Sequence, residues 1–160
     1  MGSTLTVDNI RGATSSSTIH IPGHVVQVVS ATSTSTATTT STSFVSTGFS
    51  ASITPTSATN KVMVMVSGGM EGCAGGSGSE VTMWKVYRNG SSIEGSSYGK
   101  RLYLTPNVYS ILDIKHLDSP ASTSAQTYTL YYARFAGSGT ASWNRDGGQT
   151  VTMTLMEIAQ

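Results

Sequence analysis

The sequence is poor in charge and in long apolar runs, and each shortage excludes a class of protein. Charged residues make up 11% of the 160 residues, well below the roughly 25% of an ordinary soluble domain. The net charge of +1 comes from scattered residues, so neither nucleic acid nor an anionic membrane surface is an expected partner. The sequence contains no apolar run of about 18 residues, so membrane insertion is not expected.

Cysteine is almost absent as well. The single Cys73 excludes an intrachain disulfide and a metal site made only of cysteines, which fits synthesis in a reducing cytoplasm. The N-terminal sequence MGSTLTVDNIRG lacks the charged and apolar regions of a signal peptide. If the protein acts outside a cell, we expect it to leave as part of a particle or by lysis.

Serine and threonine are abundant, together roughly 30% of the chain, and the length suits one domain. Threonine and valine favour strands, whereas serine and glycine favour turns. Apolar residues alternate with polar ones in several short segments, and no helical period is present. Strands are predicted at His24–Ser30, Phe44–Ile53, Lys61–Ser67, Glu80–Arg88, Val108–Leu117 and Gln126–Phe135, with a last one from Val151.

About eight strands at this spacing predict an all-β fold, an antiparallel β-sandwich of the jelly-roll kind over residues 20–160. Asn89-Gly90 predicts a two-residue hairpin turn with a return strand near Ser91–Ser97. Residues 31–43 are interpreted as a loop or an edge segment, and Gly68–Ser79 as a long glycine-rich loop. Lys61–Ser67 is apolar on both faces, which predicts that both faces are covered, inside the sandwich or by another subunit.

Residues 1–19 are interpreted as an extended N-terminal arm. Leu5, Val7 and Ile10 are its spaced apolar residues. Two alternatives remain open, a frayed terminus and an anchor that becomes ordered against another chain.

The motifs that carry chemistry are weak in this sequence. The glycine-rich segment lacks the Lys-Ser/Thr that follows a phosphate loop, and Cys73 has no neighbouring base or cation to activate it. His20 and His24 are the only close histidine pair and would bind a metal only if several chains met at an axis. Asp113 and Asp118 are the closest carboxylate pair, and nothing in the sequence favours a cleft around them. We therefore predict no enzyme, no catalytic residue, no cofactor and no metal ligand.

Aromatic residues provide the candidate binding contacts. Tyr98, Arg101, Tyr103 and Trp143 lie in connections rich in turn-forming residues, where exposed aromatics can contact a sugar or a protein. The alternative is that these side chains cover the core or fill an oligomer interface.

The order of several segments resembles the C-terminal domain of tail-fibre-like virion proteins of bacteriophages, notably cyanophages and other marine phages. The segments are LTVDNIRGATSSSTIHIPGHVVQVV, ITPTSATNKVMVMVSGG, WKVYRNGSSI, LDSPASTSAQTYTLYYAR and TVTMTLMEIA. The resemblance covers most of the chain. It implies a β-sandwich at the end of a virion appendage, usually a homotrimer, that contacts other virion proteins. Such a domain binds host surface polysaccharide or protein, or only caps a fibre.

Fibres of this group carry a long shaft ahead of this domain, whereas here Met1 stands directly before the arm. This difference favours a short, particle-bound protein that is made in the host cytoplasm and located in the virion. The expected function is that of a short tail-fibre or appendage protein with a role in host adhesion. The alternative is a capsid decoration protein, either cement or head fibre, that stabilises the particle without binding a host.

Overall fold

Alternating apolar side chains assemble this chain into two antiparallel β-sheets that pack face to face. The computed structural model describes residues 21–76 and 78–160, and within these ranges it contains eleven strands and no helix. The predicted all-β sandwich is confirmed. The strands are β1 (Val25–Ser33), β2 (Ala37–Thr39), β3 (Val45–Ile53), β4 (Lys61–Ala74), β5 (Glu80–Arg88), β6 (Ser91–Ser92), β7 (Lys100–Leu104), β8 (Tyr109–Asp118), β9 (Gln126–Ala136), β10 (Thr140–Trp143) and β11 (Val151–Ile158).

The strand order is that of a jelly roll. Sheet 1 runs β1-β11-β4-β8. Along the C-terminal half of β4, β10 takes the position of β11 and β2 takes that of β1. Sheet 2 runs β3-β9-β5, and β6 and β7 share the edge beside β5. The pairs β1 and β2, β6 and β7, and β10 and β11 each occupy one position, so the eleven strands fill eight positions in chain order. Sheet 1 holds the first, eighth, third and sixth positions. Sheet 2 holds the second, seventh, fourth and fifth. This arrangement of paired strands is the double Greek key of jelly rolls.

The core lies between the sheets and follows the period of two that the sequence shows. In β4, Val62, Val64 and Val66 are fully buried, and in β11 Val151, Met153 and Leu155 are buried in the same way. Two fully buried tryptophans fill the centre. Trp143 stacks on Phe49 with ring centroids 5.6 Å apart, and Trp84 stacks on Tyr132 at 5.2 Å.

A buried polar contact ties the two sheets together near one end. Asp118 ends β8 in sheet 1, and its Oδ2 accepts hydrogen bonds from Arg88 of β5 and, at 2.8 Å, from the hydroxyl of Tyr128 of β9. Burial and the neighbouring carboxylate raise the pKa of Tyr128, so its hydroxyl stays a donor. The contact fixes the relative position of the sheets because it joins three strands through side chains.

The hairpin prediction at Asn89-Gly90 is confirmed, with φ of 48° and 82° at the two residues, as a primed turn requires. Its return strand is shorter than predicted and comprises Ser91–Ser92 alone.

Among the described residues no helix is long and apolar enough to cross a membrane. The predicted arm with Leu5, Val7 and Ile10 lies outside the described residues.

Several predicted connections form strands instead. The glycine-rich segment is not all loop, because β4 continues through Gly68 to Ala74 and pairs with β8 and β10. The serine- and threonine-rich stretch holds the end of β1 and the short β2, which pairs with β10 and matches the edge-segment interpretation. Strands β7 and β10 were not predicted.

Candidate functional site

Four side chains form an exposed aromatic and cationic cluster on the outer face of sheet 2. We call it the Arg101 cluster: Tyr98, Arg101, Tyr103 and Phe135. The guanidinium carbon of Arg101 lies 3.6 Å from the ring centroid of Tyr98 and 4.6 Å from that of Phe135. Arg101 Nη1 also donates a hydrogen bond to the Tyr103 hydroxyl at 2.9 Å. These contacts hold a flexible arginine in one orientation at the surface.

The register of the edge strand explains how the cluster forms. Arg101 of β7 lies opposite Met83 of β5, and Tyr103 lies opposite Val81. Since Trp84 points into the core, the neighbouring Met83 and its partner Arg101 point outward. Phe135 reaches the same face from β9, on the other side of β5.

Gly99 allows Tyr98 to fold back over this face. Its φ is +61°, and a Cβ at this position would lie 2.2 Å from the carbonyl oxygen of Trp84. Only glycine fits such a position. Tyr98 then packs edge-on against Phe135, with ring centroids 5.2 Å apart.

The aromatic rings of the Arg101 cluster remain largely exposed. Tyr103 is 64% exposed, Tyr98 43% and Phe135 38%. Adjacent exposed aromatic side chains cost solvation free energy in the free protein, so a cluster of this kind is typical of a contact surface.

A charged groove lies on the other side of the same edge strand. It has a volume of about 290 Å³ and runs between β8 of sheet 1 and the Gly99–Lys100 segment of sheet 2. The Lys100 ammonium donates to the backbone carbonyl of Asp113, and the Asp113 carboxylate pairs with Lys115 at 3.0 Å. The groove is lined by Glu94, Gly99, Lys100, Asp113, Ile114, Lys115 and His116.

The ionic contacts of the groove are weak in energy. The side chains of Asp113 and Lys115 are 53% and 63% exposed, so their ion pair contributes less than about 1 kcal/mol. Glu94 is engaged differently, because its Oε1 accepts the backbone N–H of Val86 at 3.2 Å. Val86 lies between the part of β5 that pairs with β7 and the part that pairs with β6. The other polar groups that line the groove can bind a polar ligand such as a sugar.

A second groove lies at the opposite edge of the sandwich, between β1 and β3. Its volume is about 310 Å³, and its lining is mostly Ser and Thr with Phe49. It contains no ionisable side chain among its lining residues, so it offers hydroxyl groups and no charge.

The structure assembles three of the four predicted contact residues. Tyr98, Arg101 and Tyr103 come together in the Arg101 cluster. Trp143 does not join them, because it is fully buried between Phe49 and Trp84, and its interpretation as a surface contact is wrong. Phe135 was missed, although the alternation of the tyrosine-rich β9 places it on the same face as Tyr131.

The two carboxylates closest in sequence do not meet in a cleft. Asp113 points outward from β8, whereas Asp118 points inward to Arg88 and Tyr128, so the two nearest in sequence lie on opposite faces. Within the described ranges no group of three or more His, Cys, Asp or Glu side chains could hold a metal ion. His24 contacts the carbonyl of Ile21 through Nδ1, and His20 lies outside the described residues.

Three buried glutamates have different surroundings. Glu157 accepts hydrogen bonds from Gln27, Thr56 and Asn60; burial opposes its charge, but these donors outweigh burial and lower its pKa. Glu80 accepts the backbone N–H groups of Ser138 and Gly139 at 3.1 Å, and its pKa is lowered in the same way.

Glu71 is the exception. Neither of its carboxyl oxygens has a hydrogen-bond partner among the described residues. Burial raises its pKa to about 8, against a smaller opposing effect of the Asn144 backbone N–H. A carboxyl in this state is largely neutral at neutral pH.

Cys73 carries no reactive thiol. It is fully buried, and its Sγ lies 3.4 Å from Glu80 Oε2. Burial, together with the hydrogen bond and charge of Glu80, raises the pKa of the thiol to about 12, so the nucleophilic thiolate is suppressed.

The chain was also compared with known proteins. No protein-family model and no curated protein sequence matches it.

Proposed function

We propose that the protein is a non-enzymatic structural protein of a bacteriophage virion, a short tail-fibre or appendage protein that attaches the particle to host surface polysaccharide. The observation that carries the adhesive role is the exposed Arg101 cluster on the outer face of sheet 2. The virion assignment comes from the ordered sequence segments that resemble tail-fibre domains. The jelly-roll fold is compatible with it, since viral capsid and lectin domains use this fold, but a fold alone does not specify a function.

The chemistry of the Arg101 cluster suits a carbohydrate. The ring of Tyr103, which is 64% exposed, offers an apolar surface against which the C–H face of a sugar can pack. One face of the Tyr98 ring is already covered by the Arg101 guanidinium. The guanidinium of Arg101 has five N–H donors, of which the Tyr103 hydroxyl takes one. The others can bind sugar hydroxyl or carboxylate groups.

The charged groove extends the proposed contact surface beyond the cluster. Lys100 and Arg101 are consecutive residues of β7 and point to opposite sides, so one edge strand serves both surfaces. A chain of sugar units crossing this edge would meet aromatic rings on one side and charged groups on the other. We assign no catalytic role to the groove carboxylates, because Glu94 and Asp113 are held by Val86 N–H and Lys115.

Binding of the full chain to polysaccharide extracted from the host envelope tests the adhesive role. We expect Arg101→Ala and Tyr103→Ala each to weaken binding by about tenfold or more, as for a contact worth about 1.4 kcal/mol. Ile111→Ala is the matched control, because Ile111 is 67% exposed and lies on sheet 1, and it should bind as the natural chain does. If the natural chain binds no host polysaccharide, the adhesive role is wrong.

Location and copy number in purified particles test the virion assignment. A few copies at the tail, seen by labelled antibody in electron micrographs and by quantitative mass spectrometry, would support an appendage. Hundreds of copies on the shell would replace it with the capsid decoration role. Absence of the protein from purified particles would overturn the virion proposal.

A further inference from the structure

The guanidinium of Arg101 is held rigidly at the surface without a counter-ion. Two aromatic rings and the Tyr103 hydroxyl fix its position. The ion pairs in the part of the chain that the structure describes are made by Arg88, Lys115 and Arg145, so no described carboxylate neutralises Arg101. A fixed cation of this kind is prepared for an anion, because the side chain loses little further freedom when the anion binds.

Hydrogen-bond donors predominate around this guanidinium. The ring faces of Tyr98 and Phe135 offer it no lone pair, and the Tyr103 hydroxyl accepts only one of its N–H groups. Because the Tyr103 oxygen is the acceptor of that bond, its own proton points away from Arg101. A carboxylate or a sulfate group has only acceptors, and it can bind two parallel N–H groups of Arg101 together with the O–H of Tyr103.

Positive charge is in excess along the edge strand β7. The Lys100 ammonium donates to a neutral group, the backbone carbonyl of Asp113. Lys85 of β5 lies on the outer face with Arg101, since the residues on either side of it in the strand are in the core. The charged residues on the two sides of β7 are Glu94, Lys100, Asp113 and Lys115 at the groove and Lys85 and Arg101 on the outer face. Four cations against two carboxylates leave an excess of two positive charges, more than the +1 of the whole chain.

We propose that the polysaccharide bound at the Arg101 cluster is acidic, and that a carboxylate or sulfate group of one sugar unit binds Arg101 while the ring of that unit packs on Tyr103. The proposal presupposes the adhesive function and adds the chemical class of the ligand. In a uronic acid the carboxylate is attached directly to the sugar ring, and the 2.9 Å contact between the two side chains brings both binding groups within reach of one unit. A neutral sugar can pack on Tyr103 but leaves the guanidinium without a counter-ion.

The test is binding of the full chain to host envelope polysaccharide before and after its anionic groups are removed. In one sample the carboxyl groups are reduced to primary alcohols, in a second the sulfate esters are removed by solvolysis, and in a third both treatments are applied. Mock-treated polysaccharide controls for shortening of the sugar chains. Removal of the group that Arg101 binds should weaken binding by about tenfold or more, and the affected sample identifies a carboxylate or a sulfate.

Arg101→Gln determines whether the anionic group acts through this side chain. The variant should bind the untreated polysaccharide about tenfold or more weakly, and it should bind the fully treated polysaccharide as the natural chain does. Arg101→Lys keeps the charge without the paired planar donors and should recover part of the lost binding. Lys61→Gln is the matched control, because it removes one positive charge from β4 of the other sheet, and it should bind every sample as the natural chain does.

Salt provides a second measurement of the same contact. Raising the sodium chloride concentration should weaken binding of the natural chain, because salt screens exposed charges. Arg101→Gln should be less sensitive to salt, since the screened contact is absent. Thermal melts verify that each variant is folded.

The outcomes separate the class of ligand from adhesion itself. A natural chain that binds no untreated polysaccharide would overturn the adhesive function and the acidic ligand together. Undiminished binding to the fully treated polysaccharide would overturn the acidic ligand alone and leave adhesion in place. Arg101→Gln that weakens binding equally with and without the anionic groups would also overturn the proposal, because Arg101 would then not recognise the anion.

Discussion

Glu71 and Asn144 direct unpaired oxygen atoms at the same point inside the sandwich. A Cβ on Gly69 would lie 2.9 Å from Glu71 Oε1 and 3.4 Å from Asn144 Oδ1, and both residues are fully buried. A buried carboxylate without a hydrogen-bond partner is costly unless a proton neutralises it. The raised pKa of Glu71, about 8, agrees with a neutral carboxyl that carries this proton.

Stability should therefore fall as the pH rises through this pKa. The folded chain keeps the Glu71 proton up to about pH 8, whereas the unfolded chain loses it near its ordinary value of about 4.3. The folded state binds more protons in this window, so the free energy of unfolding decreases between about pH 4.3 and 8. Glu71→Gln removes this dependence and should stabilise the protein at pH 8 by roughly 2–4 kcal/mol, measured by urea unfolding at pH 5 and pH 8. Equal pH dependence in both proteins would contradict it.

Replacing Glu157 by Gln should change the stability in the opposite direction from Glu71→Gln. Its Oε1 accepts three hydrogen bonds from Thr56 and Asn60, and its Oε2 accepts one from Gln27 at 2.6 Å. Glu157→Gln turns one acceptor into a donor and should destabilise the protein at pH 7 by roughly 2–4 kcal/mol. Because these donors lower the pKa of Glu157, the natural chain loses the same stability as the pH falls below about 4.3 through the folded pKa. The difference in the free energy of unfolding between the natural chain and Glu157→Gln should become smaller in acid. A difference that is unchanged at pH 3 would argue against a charged Glu157.

The sequence predicts the elements in which alternation is local and clear. In β11, Val151, Met153 and Leu155 alternate with threonines, and the Asn89-Gly90 pair indicates a hairpin turn. β4 is harder to predict, because its second half, GGMEGCA, is rich in glycine and has no visible period. Gly72 is needed there since a Cβ would lie 2.6 Å from the Tyr109 ring and the Val108 carbonyl, and these neighbours lie more than thirty residues away along the chain.

The sequence indicates which types of residue form the candidate site, but not all of the residues that come together there. Tyr98, Arg101 and Tyr103 are close in sequence and meet on one face, although β7 itself was interpreted as a connection. Trp143 has only small and polar neighbours in sequence, and its burial depends on Phe49 and Trp84 from distant strands. Such contacts follow from the strand order of the two sheets, which no local pattern contains.

The contact between Arg88, Asp118 and Tyr128 should be cooperative. Asp118→Ala leaves both the guanidinium and the buried Tyr128 hydroxyl without their acceptor, and should cost about 2–4 kcal/mol. Tyr128→Phe removes one neutral donor and should cost about 1 kcal/mol. In a double-mutant cycle by urea unfolding the two changes should cost less together than the sum of their separate costs. Additive costs would mean that the hydroxyl contributes nothing to this contact.

Alanine substitutions at Gly99 and Gly90 distinguish the cost of a steric clash from the cost of an unfavourable φ. Both have positive φ, but a Cβ on Gly99 would meet the Trp84 carbonyl at 2.2 Å, whereas nothing lies within 4 Å at Gly90. Gly90→Ala should cost about 1 kcal/mol from its φ alone. Gly99→Ala should cost more and should also displace Tyr98 from Arg101, visible as a shift of the tyrosine ring signals in NMR spectra. Equal costs for the two variants would show that the contact with Trp84 relaxes freely.

Cys73 should report on global unfolding. Its thiol is fully buried beside Glu80, and its pKa is raised to about 12, so a thiol reagent at pH 7.5 finds neither access nor thiolate in the folded chain. We expect labelling by a disulfide reagent only through the unfolded state, with a rate that rises in urea in proportion to the unfolded fraction. The chain in concentrated urea is the control and should react at once with one equivalent of reagent. Rapid labelling of the folded protein in the absence of urea would mean that the end of β4 opens independently of the rest of the sandwich.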